Sequence, residues 1–403
     1  MNAQVSLPTR STGALGAAAI ACLTTCIAVA SVYATQAVFG DIAARFGVSI
    51  TDARLSFSIG SIAYALAFFV LGPLSDLFSA RRLAICGLCV AAAATVAGAI
   101  TGSYAVFLVA IGVQGAAAAA VPVAMFALMP RIAPKNQIGT YFGLIIASSV
   151  VGITLGRAGM GLLSASLGLA GAWGTLAVAL LAMGVLALAL RDDSVGVRRQ
   201  IGWSVYADSL RMIVSPDLLR PFATGFLLFF GYLGTVTFLT LRLHEPPFQF
   251  DSATIGSISL LGLGSVLGAP VSGRLVGRYG SLAVAVSGLA IVLTAIGVLV
   301  WATSLPAVGL GLFLIFLGVF VCQPAVFVRI AERVAPQRRG SASSLYLLTC
   351  LGAGSLASAV LGPVWARAGW TGVTTVCVAA VLTSLVVLIS DATVRSPRAA
   401  QGA

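Results

Sequence analysis

The chain has 403 residues, of which 59% are hydrophobic and only 8% charged. A soluble domain is about 45–50% apolar and about 25% charged, so this composition cannot clothe a fold in water. A soluble enzyme, a secreted domain and a disordered tail are excluded, and the chain belongs in a lipid bilayer. The net charge of +12 comes from 23 Lys and Arg against 11 Asp and Glu. These basic residues stand singly or in pairs between apolar stretches, without interleaved aromatics, which argues against a nucleic-acid partner.

Taken in chain order, the charge-free blocks are 11–40, 55–75, 83–130, 136–156, 158–190, 221–241, 252–273, 279–328, 340–366 and 368–390. A crossing helix needs about 20 apolar residues, because the hydrocarbon is about 30 Å thick and each residue rises about 1.5 Å. The blocks 83–130 and 279–328 are long enough to fold back once, at Thr101-Gly-Ser103 and at Thr303-Ser-Leu-Pro306, which gives twelve spans. The first span, about residues 14–38, is too long for a signal-peptide core, so it is read as retained.

Loop charge sets the orientation. With the N-terminus cytoplasmic, one set of loops holds 18 Arg and Lys, among them Arg81, Arg82, Arg131, Arg329, Arg333 and Arg339. The other set holds four: Arg45, Arg54, Arg242 and Arg367. Both termini are therefore expected in the cytoplasm. The segment 191–220 carries nine charges and divides the spans six from six, with an amphipathic helix expected around 203–214.

The sequence thus predicts an all-α membrane protein of 12 transmembrane helices in two six-helix bundles related by a pseudo-two-fold axis along the membrane normal. Its parts are a cytoplasmic tail (1–13), an N-terminal bundle (14–190), a cytoplasmic linker (191–218), a C-terminal bundle (219–390) and a cytoplasmic tail (391–403). The halves repeat: Gly72-Pro-Leu74 corresponds to Gly273-Arg-Leu275, and Arg131-Ile-Ala-Pro134 to the region of Val334-Ala-Pro336. Repeats of this kind characterise transporters whose substrate path lies between the halves.

Several side chains invite chemistry. Cys86 and Cys89 spell CxxC, but in a charge-free block, where a thiol behaves as a small hydrophobe. With His244 as the one His, neither a metal nor a cofactor is expected. There is also no nucleophile–base set and no phosphate loop, so the chain is not read as an enzyme.

Arg157 lies inside a span, where a charge costs on the order of 3 kcal/mol on insertion scales and usually faces a cavity or a partner. Apolar periodicity continues past it to Leu163, placing it about 9 Å below the outer end of its helix. Its repeat counterpart, 201 residues on, is Ser358, and scaffolding would more readily be duplicated. Tyr33 and Gln36 share one helix face by their i, i+3 spacing. Gln114, Tyr232, Thr235 and Gln323 are the other polar groups singled out within spans. For any of these six, an interhelical hydrogen bond is an equal alternative to substrate contact. The acidic residues avoid the span interiors: Asp41, Asp52, Glu245 and Asp251 fall at the outer face and the rest at the cytoplasmic face. Asp41, just past the first span, is the candidate proton site, or simply a solvated helix end.

Tyr33-Ala-Thr-Gln36 leading into Phe46-Gly-Val48, together with Gly72-Pro-Leu-Ser-Asp76, Ser343-Ser-Leu-Tyr346 and Gly369-Trp370, resembles the major facilitator superfamily, and within it the bacterial inner-membrane efflux branch of arabinose-efflux-like permeases and drug–proton antiporters. The resemblance implies a secondary transporter that moves a small organic compound across the cytoplasmic membrane by alternating access, outward and by proton antiport. It implies a monomer in a lipid bilayer, with a small-molecule substrate and protons as partners. The alternative is an organic-anion uniporter or exchanger that uses Arg157 as substrate anchor.

The resemblance also makes Gly72, Asp76, Arg81 and Arg82 a cytoplasmic gate, in which Asp76 faces a helix N-terminus or an Arg of the neighbouring bundle. Leu77 and Ser79 depart from the pattern, which has a basic residue and a Gly there. Gly152, Gly156 and Gly161 are similar to the family's antiporter motif, except that Arg157 replaces its Pro; close helix packing explains these glycines equally well. Gln114-Gly115 lacks the Arg three residues earlier, which here is Ile111.

Overall fold

The computed structural model describes residues 10–134, 137–190, 206–207, 211–212, 215–246, 248–249, 260–335 and 338–393. Its helices are α1 (Arg10–Tyr33), α2 (Phe39–Phe46), α3 (Ile50–Leu77), α4 (Ala80–Ile100), α5 (Tyr104–Ala118), α6 (Ala120–Ile132), α7 (Ile138–Ala187), α8 (Pro216–His244), α9 (Gly268–Tyr279), α10 (Ser281–Trp301), α11 (Leu305–Arg333) and α12 (Arg339–Thr393). No strand occurs among the described residues. The expected breaks hold: α4 ends and α5 begins around Thr101-Gly-Ser103, and α10 gives way to α11 around Thr303-Ser. Most of the amphipathic helix expected around 203–214 lies outside the described residues; Tyr206, Ala207, Arg211 and Met212 are helical.

Among the described residues, nine helical stretches are long and apolar enough to cross a membrane. Two of them, α7 and α12, have 50 and 55 residues. At about 1.5 Å per residue each could cross about 30 Å of hydrocarbon twice. Each also contains one break, at Gly168 with φ 69° and at Gly369 with φ 55°. Positive φ is the region a residue without Cβ enters freely, so these two glycines are where the chain can leave the helix and re-enter it.

The repeat visible in sequence holds in the element ends. The stretches Ala80–Ile100 and Ser281–Trp301 are offset by 201 at both ends, as are Tyr104–Ile132 and Leu305–Arg333. The breaks at Gly168 and Gly369 keep the same offset.

Two compact units form. One comprises Met1–Ala67, Phe78–Lys135 and Gly152–Gly196; the other comprises Phe68–Leu77, Asn136–Val151 and Val197–Ala403. Helices α3 and α7 thus contribute a segment to each. In the first unit, a core of Val38, Ile42, Ala53, Phe107, Met160 and Trp173 closes around the end of α1. Phe107 stacks between Phe46 (5.0 Å between centroids) and Trp173 (6.2 Å), and such tilted aromatic pairs add to plain area burial. Arg45 donates from Nη2 to the carbonyls of Ala99 (2.5 Å) and Thr101 (3.0 Å), satisfying acceptors at the C-terminal end of α4. Ser49 caps the start of α3: its Oγ accepts the Asp52 N–H (3.0 Å) and donates to the Asp52 carboxylate (2.7 Å).

In the second unit, α11 is buried almost continuously from Gly318 to Ala331. Its last turns hold a charged cluster that the sequence reading had placed in loops and in the C-terminal tail. Arg329 and Arg333 both donate to the Asp391 carboxylate near the end of α12, and Arg333 Nη1 donates to the Asp217 carbonyl at 2.9 Å. Arg329 and Asp391 are only 8% and 4% exposed, so they are helix residues of the interior. The reason is mutual: two guanidiniums and one carboxylate neutralise enough of each other to leave water together.

Candidate substrate site and gate

In α7 the fifth-span glycines lie against α1. A Cβ on Gly152 would come within 2.3 Å of the Cys26 carbonyl oxygen, and one on Gly156 within 2.2 Å of that of Ala30. Further along, Gly161 neighbours Ala37, and Ser164 donates to Asp41 at 2.6 Å. The paired numbers rise together, so the two helices run parallel in close contact, which only small residues allow. This contact accounts for Gly152 and Gly156.

Arg157 follows on the next face. The helix runs on to the break at Gly168, 11 residues away, beyond the end expected at Leu163, so Arg157 lies about 16 Å from that break. With about 100° per residue, it sits 120–160° around the helix from the exposed Val151, Leu155 and Leu162, and about 80° from the exposed Leu167. It is exposed as well. Its Nε donates to Gln36 Oε1 at 2.5 Å, and its Cζ lies 5.5 Å from the Tyr33 ring centroid, within cation–π range. Among the described residues no carboxylate pairs with it.

Gln36 lies in a 3₁₀ turn, Ala34–Ala37, directly after α1. In that tighter winding i and i+3 eclipse, so Gln36 stands above Tyr33 and both meet one guanidinium. The structure brings Tyr33 and Gln36, which the sequence reading places on one face, together with Arg157. Two members escaped that reading. Phe57 packs on Tyr33 (centroids 5.5 Å, 48° between planes), and Tyr64 stands two turns along α3 from Phe57. They are i and i+7 on α3, on a face turned away from the exposed Leu55, Ile62 and Leu66. A helical wheel of α3 would have singled out that face; hydropathy alone could not, because aromatic side chains read as ordinary span residues.

The other candidates lie elsewhere. Gln114 is buried, its Nε2 donating to the Ser31 carbonyl at 3.0 Å, so it ties α5 to α1; among the described residues its Oε1 has no partner. Thr235 is buried and donates to Gly231 O (2.7 Å) within its own helix. Tyr232 meets Phe229 and Phe316 edge-on, at 5.8 and 5.5 Å, and Gln323 is buried in α11. Asp41 is exposed in the first turn of α2, with Ser164 as donor.

At the expected gate, the Asp76 carboxylate accepts the N–H of Gly340 (2.9 Å), the N–H of Ser341 (3.0 Å) and the Ser341 hydroxyl. A helix N-terminus is among the partners of Asp76: Gly340 and Ser341 are in the first turn of α12, whose N–H groups lack intrahelical acceptors and whose dipole favours an anion. Gly72 permits the approach, since a Cβ there would lie 2.8 Å from Ser344 Cβ. Arg82 gives its backbone N–H to the Ser79 hydroxyl (3.3 Å), which caps α4; Arg81 is half-buried in the same turn.

Long apolar helices, a repeat of 201 residues and a charge-and-ring cluster within the spans define a polytopic membrane transporter. A family model of the Major Facilitator Superfamily matches residues 21–359, and the chain belongs to that superfamily. It is 28% identical over 348 residues to the MFS-type transporter YybF of Bacillus subtilis, covering 85% of each chain. It is 25% identical over 364 residues to the inner membrane transport protein YnfM of Escherichia coli, covering 85% of this chain and 82% of that one. Among solved structures, the human organic anion transporter MFSD10 superposes with a TM-score of 0.76 at 20% identity, over 95% of this chain and 100% of that one. FucP in its outward conformation gives 0.75 at 13% identity, over 93% and 98%. These likenesses show the fold. The protein is a multi-pass transporter, not an enzyme, and like other members of the superfamily it carries small molecules in a lipid bilayer.

Proposed function

We propose that the chain is a secondary transporter of twelve crossings, with both termini cytoplasmic in a bacterial-type inner membrane, that moves a small organic anion by alternating access with Arg157 as its anchor. The carrying observation is the Arg157 guanidinium held by Gln36 and Tyr33 with no carboxylate among the described residues. A charge within a span is costly unless something neutralises it. A substrate carboxylate or phosphate would do so and then leave, which is what a carrier requires. The MFSD10 structure, titled an organic anion transporter, is consistent with this reading.

Asp76 would serve as the latch. Its bonds to the first turn of α12 are made at one end of α3 and can be broken without disturbing Arg157.

The second reading is efflux by proton antiport, which the efflux branch implies. It is favoured by the position of Asp41: its donor, Ser164, is i+7 from Arg157 on one face of α7, about 10 Å away, so a titratable acid stands two turns from the anchor.

A thermal-shift screen of the purified protein against carboxylates, sugars, amphipathic drugs and amino-acid metabolites tests the anchor. Carboxylates should stabilise the wild type and not Arg157→Ala; stabilisation by a neutral compound, unaltered in Arg157→Ala, would sink it. Fluorescence quenching in inverted vesicles separates the two readings, because substrate-induced proton movement occurs only in the antiporter.

A further inference from the structure

We infer that the anion carried at Arg157 is an aromatic carboxylate; this rests on the proposed anchor and names its substrate class. The guanidinium has five N–H donors in a rigid plane. Gln36 engages Nε and so fixes the rotation of that plane, leaving the Nη edge, the one that meets a carboxylate with two parallel bonds.

What lies beside the guanidinium is aromatic. Tyr33 lies at cation–π distance, Phe57 packs on Tyr33, and Tyr64 stands two turns from Phe57 on the same face of α3. Aromatic residues make up only 8% of the chain, so this is a concentration. Tyr33, Phe57 and Tyr64 are half-buried and leave surface open. Phe57 and Tyr64 stand on a face of α3 away from its exposed Leu55, Ile62 and Leu66, so lipid contact does not account for their openness. An open ring surface beside a fixed guanidinium edge matches a ligand that carries a ring and a carboxylate a few bonds apart.

The test is equilibrium binding by titration calorimetry on the full chain in detergent. The probes are benzoate, phenylacetate and 3-phenylpropanoate, each beside its cyclohexyl counterpart of equal charge and spacing, with benzamide as a ring without charge. At least one aromatic acid should bind about 3–10-fold more tightly than its saturated counterpart, the range a ring contact adds. Tyr33→Leu should bring that ratio to about 1, and Tyr33→Phe, which keeps the ring, should retain it. Arg157→Ala should lose both acids. Equal binding of aromatic and cyclohexyl acids by the wild type, both lost in Arg157→Ala, overturns the aromatic class and leaves the anion anchor standing. Absence of binding in both series, or benzamide binding as well as benzoate, overturns the anchor too.

Discussion

The two halves of the sequence fold to one plan and are charged to different ones. Helix ends, the glycine breaks and the small-residue contacts recur 201 positions apart, yet Arg157 corresponds to Ser358, and the buried Arg329 and Asp391 correspond to Leu128 and Leu190, themselves 1% and 0% exposed. What a helical scaffold needs is duplicated; what carries charge is not. The same place in the repeat is filled by two leucines in one half and by an ion pair in the other, so the charges serve something other than holding helices together.

The largest effect is expected from breaking that pair. Asp391→Ala would leave two guanidiniums without their carboxylate in the interior, at a cost of about 3–5 kcal/mol, read as a sharp fall in Tm. Arg329→Leu with Asp391→Leu, which rewrites the second half as the first, should recover most of the loss, because Arg333 keeps its bond to the Asp217 carbonyl. Equal damage from the single and the paired change would refute the comparison.

Next comes the cation that the first half alone carries. Arg157→Lys keeps the charge but has no planar fork and no Nε for Gln36, so anion binding should weaken by about tenfold or more while Tm stays within a degree or two. Gly156→Ala follows. Its repeat counterpart is already alanine, the fully buried Ala357, but at Gly156 the added Cβ would strike the Ala30 carbonyl oxygen. A loss of about 1–3 kcal/mol is expected, measured by thermal shift. The smallest effect is at the latch: Asp76→Asn keeps an acceptor at the start of α12 but removes the charge its dipole favours, worth about 0.3–1 kcal/mol. Transport rate should change about two- to fivefold with substrate Kd unaltered, whereas a changed Kd would tie the latch to the site.

Much of this could be read before folding. A charge inside an apolar run declares itself at Arg157, because the bilayer penalises it wherever the helix turns. Asp76 was legible as an acid aimed at a helix N-terminus, although the turn of α12 that it meets was not. Phe57 and Tyr64 were illegible because an aromatic side chain in a span carries no polarity signal. Arg329, Arg333 and Asp391 were misread because each is written next to a loop, and a count of charges between apolar blocks cannot see that helices distant in sequence bring them together.

The sequence by itself determined the solvent, the long apolar stretches, the repeat and the position of the uncompensated cation, since these follow from hydropathy, chain length and spacing along one helix. Only the tertiary structure decided which faces meet. That α7 runs parallel to α1, so that Arg157 reaches Gln36 and Tyr33, and that α11 and α12 bury their ion pair, depends on contacts between helices far apart in the chain. Close packing selects those contacts from the shapes of both partners together, and neither helix encodes them alone.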